Sequence, residues 1–132
     1  MDHDMQGAVE ALLDEVGSAT QAQPLFEAPT LREQVAIVTG ASSGIGRAVA
    51  LELARCGTHI AFCFLDTGSR SRLDAQEVAR KLREMEVRVY FRSCDVRESR
   101  EVRDFVAEVR EELGGVQILV NNAGIGRDGV LW

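Results

Sequence analysis

Three short segments carry residue types able to do chemistry. The first is "TGASSGIG", residues 39–46. Its glycines are Gly40, Gly44 and Gly46, with Ser42, Ser43 and Ile45 between them. Gly40 leaves a strand with backbone angles closed to other residues. Gly44 and Gly46 remove side chains where a ligand and the neighbouring strand must approach a helix. The first N–H groups of a helix have no partner inside it, and the positive end of the helix dipole lies behind them. Such a turn holds an anion, above all a pyrophosphate, and Ser42 and Ser43 add hydroxyl donors. The second segment is "CDV", residues 94–96, where Asp95 offers a carboxylate acceptor beside Val96. The third is "NNAG", residues 121–124, with Asn121, Asn122, Ala123 and Gly124. A lone glycine-rich turn also occurs as a plain structural loop, so the elements around it decide its meaning.

Those elements follow a regular alternation. "VAIVT", 35–39, is a β-branched apolar run suited to a strand buried on both faces. Helical spacing follows over 43–55 through Ile45, Val49 and Leu53, and Gly57 is placed to stop it. A second strand is expected over 59–65, a polar loop over 66–74, a helix over 74–85 and a third strand over 87–94. A third helix over 99–115 ends in Gly-Gly, and a fourth strand covers 116–122. Such βαβ connections are long enough to cross over, so the strands are expected to be parallel with helices on both faces. The fold class is therefore α/β: a Rossmann-like doubly wound parallel sheet in the order 3-2-1-4, truncated after the fourth strand. All three segments then fall at the carboxyl ends of strands, where ligands of such sheets bind.

Composition separates two regions. Residues 1–31 hold six acidic residues and no Lys or Arg, whereas the rest of the chain balances 15 acidic against 15 basic residues. Residues 1–32 read as an acidic N-terminal extension and linker, with one amphipathic helix over about residues 5–16. Residues 33–132 read as the folded half-domain. Nothing gives the basic footprint of a nucleic-acid binder. No apolar run approaches a membrane span, and the start resembles neither a secretory leader nor a transit peptide. Cys56, Cys63 and Cys94 form no metal spacing and suit buried thiols in a reducing compartment, so a cytoplasmic location and no metal site are expected.

"TGASSGIG", "DV" and "NNAG", in this order and spacing, resemble the motifs of the short-chain dehydrogenase/reductase family, over about residues 33–132. "NNAGIGRDGVLW" is similar in particular to the 3-oxoacyl-acyl-carrier-protein and acetoacetyl-CoA reductases. The resemblance implies a cofactor, NADP or alternatively NAD, and a small-molecule carbonyl substrate such as a 3-oxoacyl thioester of fatty acid biosynthesis. It implies a homo-oligomer when complete. Gly40, Ser42, Ser43, Gly44, Ile45 and Gly46 would line the phosphates and adenosine ribose. Asp95 would accept a hydrogen bond from the adenine amino group, with Val96 on the ring. Asn122, Ala123 and Gly124 would border the ribose, and Asn121 would brace the central strands. The end of the second strand carries Phe64 where NAD enzymes place an acid, with Asp66 two residues on, and Arg70 and Arg72 can reach a 2′-phosphate from the loop.

The family's hydride transfer uses a tyrosine acid with a lysine four residues later. This chain has one tyrosine, Tyr90, and one lysine, Lys81, nine apart and in the wrong order. No catalytic residue is therefore assigned, and "GVLW" reads as a cut. The chain is expected to be the inactive nucleotide-binding portion of an oxidoreductase. The alternative is a non-catalytic dinucleotide-binding or interaction module.

Overall fold

The computed structural model describes residues 5–13 and 31–124. They fall into two units that divide between Thr30 and Leu31. The first contains helix α1, residues 5–13, whose side chains are exposed throughout. The remainder of the expected helix over 5–16, the linker and "GVLW" lie outside the described residues.

The second unit alternates strand and helix: β1 (Val35–Thr39), α2 (Gly44–Arg55), β2 (His59–Phe64), α3 (Ser69–Glu84), β3 (Val89–Ser93), α4 (Ser99–Leu113) and β4 (Ile118–Val120). All strands pair in parallel in the order β3-β2-β1-β4, the doubly wound plan expected from the sequence. β1 and β2 are buried at every position, as continuous apolar runs require when helices cover both faces.

Alternation along the strands divides the core in two. Ala36, Val38, Ile60 and Phe62 pack under α2 and α3, against Ala50, Ala54, Val78 and Leu82. Phe62 also stacks on Phe91 of β3, with ring centroids 5.1 Å apart. Val35, Ile37, Ala61 and Cys63 face α4 through Phe105, Val109 and Leu113. Small residues on α2 let that helix lie close to β1. Its end is set at Gly57, whose φ of +83° is open to glycine, and α4 ends on the left-handed Gly114.

Two expectations need correction. The segment expected as a polar loop over 66–74 is helical from Ser69. Its first turn is solvent-exposed and so lacks apolar periodicity. Ser71 marks it instead: its hydroxyl accepts the Thr67 N–H at 2.9 Å and donates to the Gly68 carbonyl at 2.8 Å. Arg70 and Arg72 therefore stand on α3, not in a loop. Cys63 and Cys94 are buried as expected, but Cys56 is exposed, because it caps the outer end of α2.

Candidate functional site

The carboxyl ends of the strands enclose a cleft of about 470 Å³. Of the residues singled out from the sequence, Gly40, Ser42, Ser43, Asp95, Val96, Asn122, Ala123 and Gly124 line it. Gly44 and Ile45 are exposed at the start of α2, and Gly46 is buried beneath the turn. The fold thus brings all three segments to one edge, from positions more than 80 residues apart in the chain for the first and the last.

The turn is held from below. Thr39, at the end of β1, is buried, and its hydroxyl accepts the backbone N–H of Asn122 at 3.0 Å and of Ala123 at 2.9 Å. The Asn122 side-chain amide donates to the carbonyls of Thr39 and Gly40, both at 3.2 Å. Asn122, rather than the exposed Asn121, therefore braces the strands. Extended chain alternates its side chains, and Asn122 is the residue whose own N–H meets Thr39. A Cβ added at Gly46 would collide with the Gly40 carbonyl oxygen and the Asn122 amide, and one at Gly40 would lie 3.0 Å from the Ala123 Cα. The turn is packed as tightly against the end of β4 as backbone permits.

Above, the turn is open. Ser43 is the N-cap of α2 but makes no side-chain capping bond, and the first turn carries no acid. Its N–H groups are thus without a side-chain partner, and the helix dipole behind them favours negative charge there.

Asp95 is engaged by its own loop. Its Oδ1 accepts the Arg97 backbone N–H at 3.0 Å and Nε–H at 2.9 Å, and its Oδ2 accepts the Arg97 Nη2–H at 2.7 Å and shares the Nε–H at 3.2 Å. Hydrogen bonds from the Arg97 side chain, then from its backbone, hold the Asp95 carboxyl below its ordinary range. Asp95 is therefore an ionised, acceptor-only group at neutral pH.

The cleft also takes in residues that sequence reading passed over. Leu65, Thr67, Ser71 and Asp74 line it from the end of β2 and the start of α3, with Cys63 and Cys94 at its floor. Placing the polar segment after β2 at the same carboxyl edge was the available signal. Phe64 is buried in the core and Leu65, the next residue, is 46% exposed. Asp66 accepts from the Gly68 N–H at 3.0 Å and pairs with Arg72 at 3.3 Å. Arg70 lines the cleft and pairs with Asp74 at 3.3 Å.

Tyr90 and Lys81 both stand away from the cleft. The Tyr90 hydroxyl donates to Glu108 Oε2 at 2.5 Å. Burial, then the hydrogen bond and charge of Glu108, push it up to about 12, the wrong direction for a proton donor near neutral pH. Lys81 lies on α3 beside Glu77. Among the described residues no group of three His, Cys, Asp or Glu side chains is placed to hold a metal ion. No described helix is long and apolar enough to cross a membrane.

Comparison with known proteins places this geometry. The chain is 38% identical over 96 residues to the 3-oxoacyl-[acyl-carrier-protein] reductase FabG of Staphylococcus epidermidis, covering 73% of this chain and 38% of that protein. Its fold matches L-sorbose reductase from Gluconobacter frateurii, solved with NADPH and L-sorbose, with a TM-score of 0.67 and 39% identity over 76% of this chain and 36% of that one. It also matches carveol dehydrogenase from Mycobacterium avium, solved with NAD, with a TM-score of 0.68 and 30% identity over 75% of this chain and 38% of that one. The chain thus spans between a third and two fifths of the length of these relatives. The short chain dehydrogenase pattern matches residues 34–131, nearly the whole of the second unit, and the chain belongs to the short-chain dehydrogenase family.

Proposed function

We propose that residues 33–132 form the dinucleotide-binding half of an NAD(P)-dependent oxidoreductase. One observation carries the reading: the uncapped start of α2 opens, over a turn too tight for any side chain at Gly46, into the cleft where Asp95 and Asn122–Gly124 meet. Those residues fit a nicotinamide dinucleotide. Gly40, Ser42, Ser43, Gly44, Ile45 and Gly46 form the pyrophosphate cradle. Asp95 accepts the adenine amino group beside Val96, and Asn122, Ala123 and Gly124 border the ribose. When bound, the cofactor supplies a hydride donor or acceptor.

NADP is favoured over NAD. Asp66, the carboxylate nearest the end of β2, is taken up by Gly68 and Arg72 and does not line the cleft. Arg70, which is mostly exposed and paired with Asp74 along α3, lines it with Thr67 and Ser71 at the start of that helix, where the helix dipole favours a phosphate. Arg70→Ala lowers affinity for NADP and leaves that for NAD unchanged. Equal loss for both removes the preference.

The parent reaction moves a hydride between nicotinamide and a carbonyl or hydroxyl carbon. The relative named a 3-oxoacyl-carrier-protein reductase supports a 3-oxoacyl thioester as substrate, with fatty acid synthesis, a cytoplasmic location and a homo-oligomer as parts of the same reading. A second reading is favoured by Tyr90 and Lys81, both away from the cleft: this chain by itself binds the dinucleotide without catalysis. Calorimetric titration of the chain with NADP tests binding, and Gly46→Ala must abolish it. An unchanged affinity in that variant defeats the cradle. Reduction of an acetoacetyl thioester by the purified chain defeats the assignment of inactivity.

A further inference from the structure

We propose that Cys63 and Cys94 form a redox-active dithiol at the floor of the cleft, which a hydroperoxide converts to a disulfide and which an occupant of the cleft protects; the protection rests on the dinucleotide reading above. Cys63 lies opposite Arg92 in the parallel ladder of β2 and β3, and Phe64 lies opposite Ser93. The ladder runs on for one more bond, from the Cys94 N–H to the Phe64 carbonyl at 2.9 Å. Alternation then puts both cysteines on the α4 face, as diagonal neighbours on adjacent strands. Their thiols are in hydrogen-bonding contact, with the Cys94 S–H as donor and the Gly40 N–H also beside the Cys63 sulfur. Cys63 and Cys94 are only 1% and 3% exposed, and both line the cleft. A small oxidant in the cleft reaches them, and a ligand seated there covers them.

Two donors at its sulfur make Cys63 the better thiolate of the pair, and the thiolate is the nucleophile. It attacks one oxygen of the hydroperoxide: an S–O bond forms, the O–O bond breaks, and an alcohol or water leaves with the proton that the thiol gave up. The Cys94 sulfur then attacks the Cys63 sulfenic acid: the S–S bond forms, the S–O bond breaks, and water leaves with the second thiol proton. Each sulfur loses one electron, and the peroxide gains two. Burial pushes both thiols up, Cys94 to about 11, where Cys63 and Glu101 of α4 add to the rise and Arg92 of β3 opposes it. The reaction is therefore slow at neutral pH and needs a sustained oxidant. Disulfides span Cα separations up to about 7 Å, and diagonal neighbours start at about 7–8 Å, so the bridge draws the end of β3 toward β2. A bridge strained in this way is readily reduced. Asp95 and Val96 follow Cys94 directly and line the cleft, so the bridged chain presents a displaced cleft wall.

The test is mass spectrometry of the chain after hydrogen peroxide at mildly alkaline pH, with free thiols alkylated and digestion carried out without reduction. The exposed Cys56 is first removed as Cys56→Ser, and circular dichroism checks folding. In that background a peptide pair joined through residues 63 and 94 is expected, and a dithiol reductant releases it. Neither Cys63→Ala nor Cys94→Ala gives the pair. Separate sulfinic acids at the two positions, or two thiols left unreacted, overturn the dithiol. The bridged chain is expected to bind NADP at least about fivefold more weakly in calorimetry, and saturating NADP slows bridging several-fold. Bridging at an unchanged rate with NADP bound overturns the protection. No NADP binding by the reduced chain, with bridging intact, overturns the dinucleotide reading and leaves the dithiol standing.

Discussion

The two edges of the sheet treat their polar groups in opposite ways. At the amino edge nearly everything is closed. The Val35 N–H meets Gln117 Oε1 at 2.7 Å, and the Thr58 hydroxyl donates to the Leu31 carbonyl at 2.9 Å. His59 is buried, and its Nδ1 accepts the Arg88 N–H at 2.9 Å. That fixes the ring proton on Nε2, which donates to Glu33 Oε2 at 3.1 Å. The Arg88 guanidinium reaches the Leu113 carbonyl at 3.1 Å. At the carboxyl edge the brace below the turn is equally complete, but above it α2 starts without a side-chain cap. Buried polar groups must be paired, whereas the exposed N–H groups at the start of α2 are open to solvent or to the dinucleotide proposed above. The closed edge holds the sheet together, and the open edge is where the proposed dinucleotide would bind.

The largest effect that can break this contrast is Gly46→Ala. The added methyl collides with the Gly40 carbonyl oxygen and with the Asn122 amide that braces the turn, so the turn must move. A stability loss of about 3 kcal/mol is expected in urea melts, together with loss of NADP binding. His59→Ala comes next and probes the closed edge. It leaves the part-buried Arg88 N–H without its partner, for about 1 kcal/mol, but dinucleotide affinity per folded molecule stays at the wild-type value. A change in affinity there would mean that the two edges are coupled. Gly44→Ala is milder than Gly46→Ala. Nothing lies within 4 Å of the new Cβ, so only the φ of +60° opposes it, at about 1 kcal/mol. It separates strain from collision within one turn: Gly44→Ala folds and binds more weakly, whereas Gly46→Ala does not bind.

The smallest effect lies on the α4 face. Tyr90 is the only tyrosine in the chain, so its tyrosinate absorbance reports one site. The folded chain is expected to titrate near 12, and the denatured chain near the ordinary value of about 10. The folded value is the raised one. The stability this group contributes is thus fully present below about pH 10 and is lost as pH rises toward 12. Titration of the folded chain at the denatured value would remove the bond to Glu108.

Much of this molecule is legible from residue order. β1 and β2 read as continuous apolar runs because both faces are covered, and the helices read from their period because each buries one face. The glycine spacing at 40, 44 and 46 is legible because the turn is local: positive φ at Gly40 and Gly44 and close packing at Gly40 and Gly46 each favour glycine. The start of α3 is not, since its first turn is solvated and is held by Asp66 and Ser71 rather than by packing. The brace was assigned to Asn121 when Asn122 makes it, a matter of which side chain meets Thr39 across two strands. The Arg97 clamp on Asp95 also escaped notice, because arginines next to acids are common on solvated surfaces and sequence does not show which pair faces a cleft.

The sequence by itself determined the alternation of elements, the parallel order of the strands and the turn that opens α2, because hydrophobic period and glycine placement act over a few neighbouring residues. Only the tertiary structure decided how the polar groups are paired: Asn122 on Thr39 and Gly40, Asp66 on Gly68 and Arg72, and the carboxylate of Asp95 on Arg97. Hydrogen bonds form between atoms about 3 Å apart, and that distance is set by the packing of β1 against β4 and of each loop on its strand.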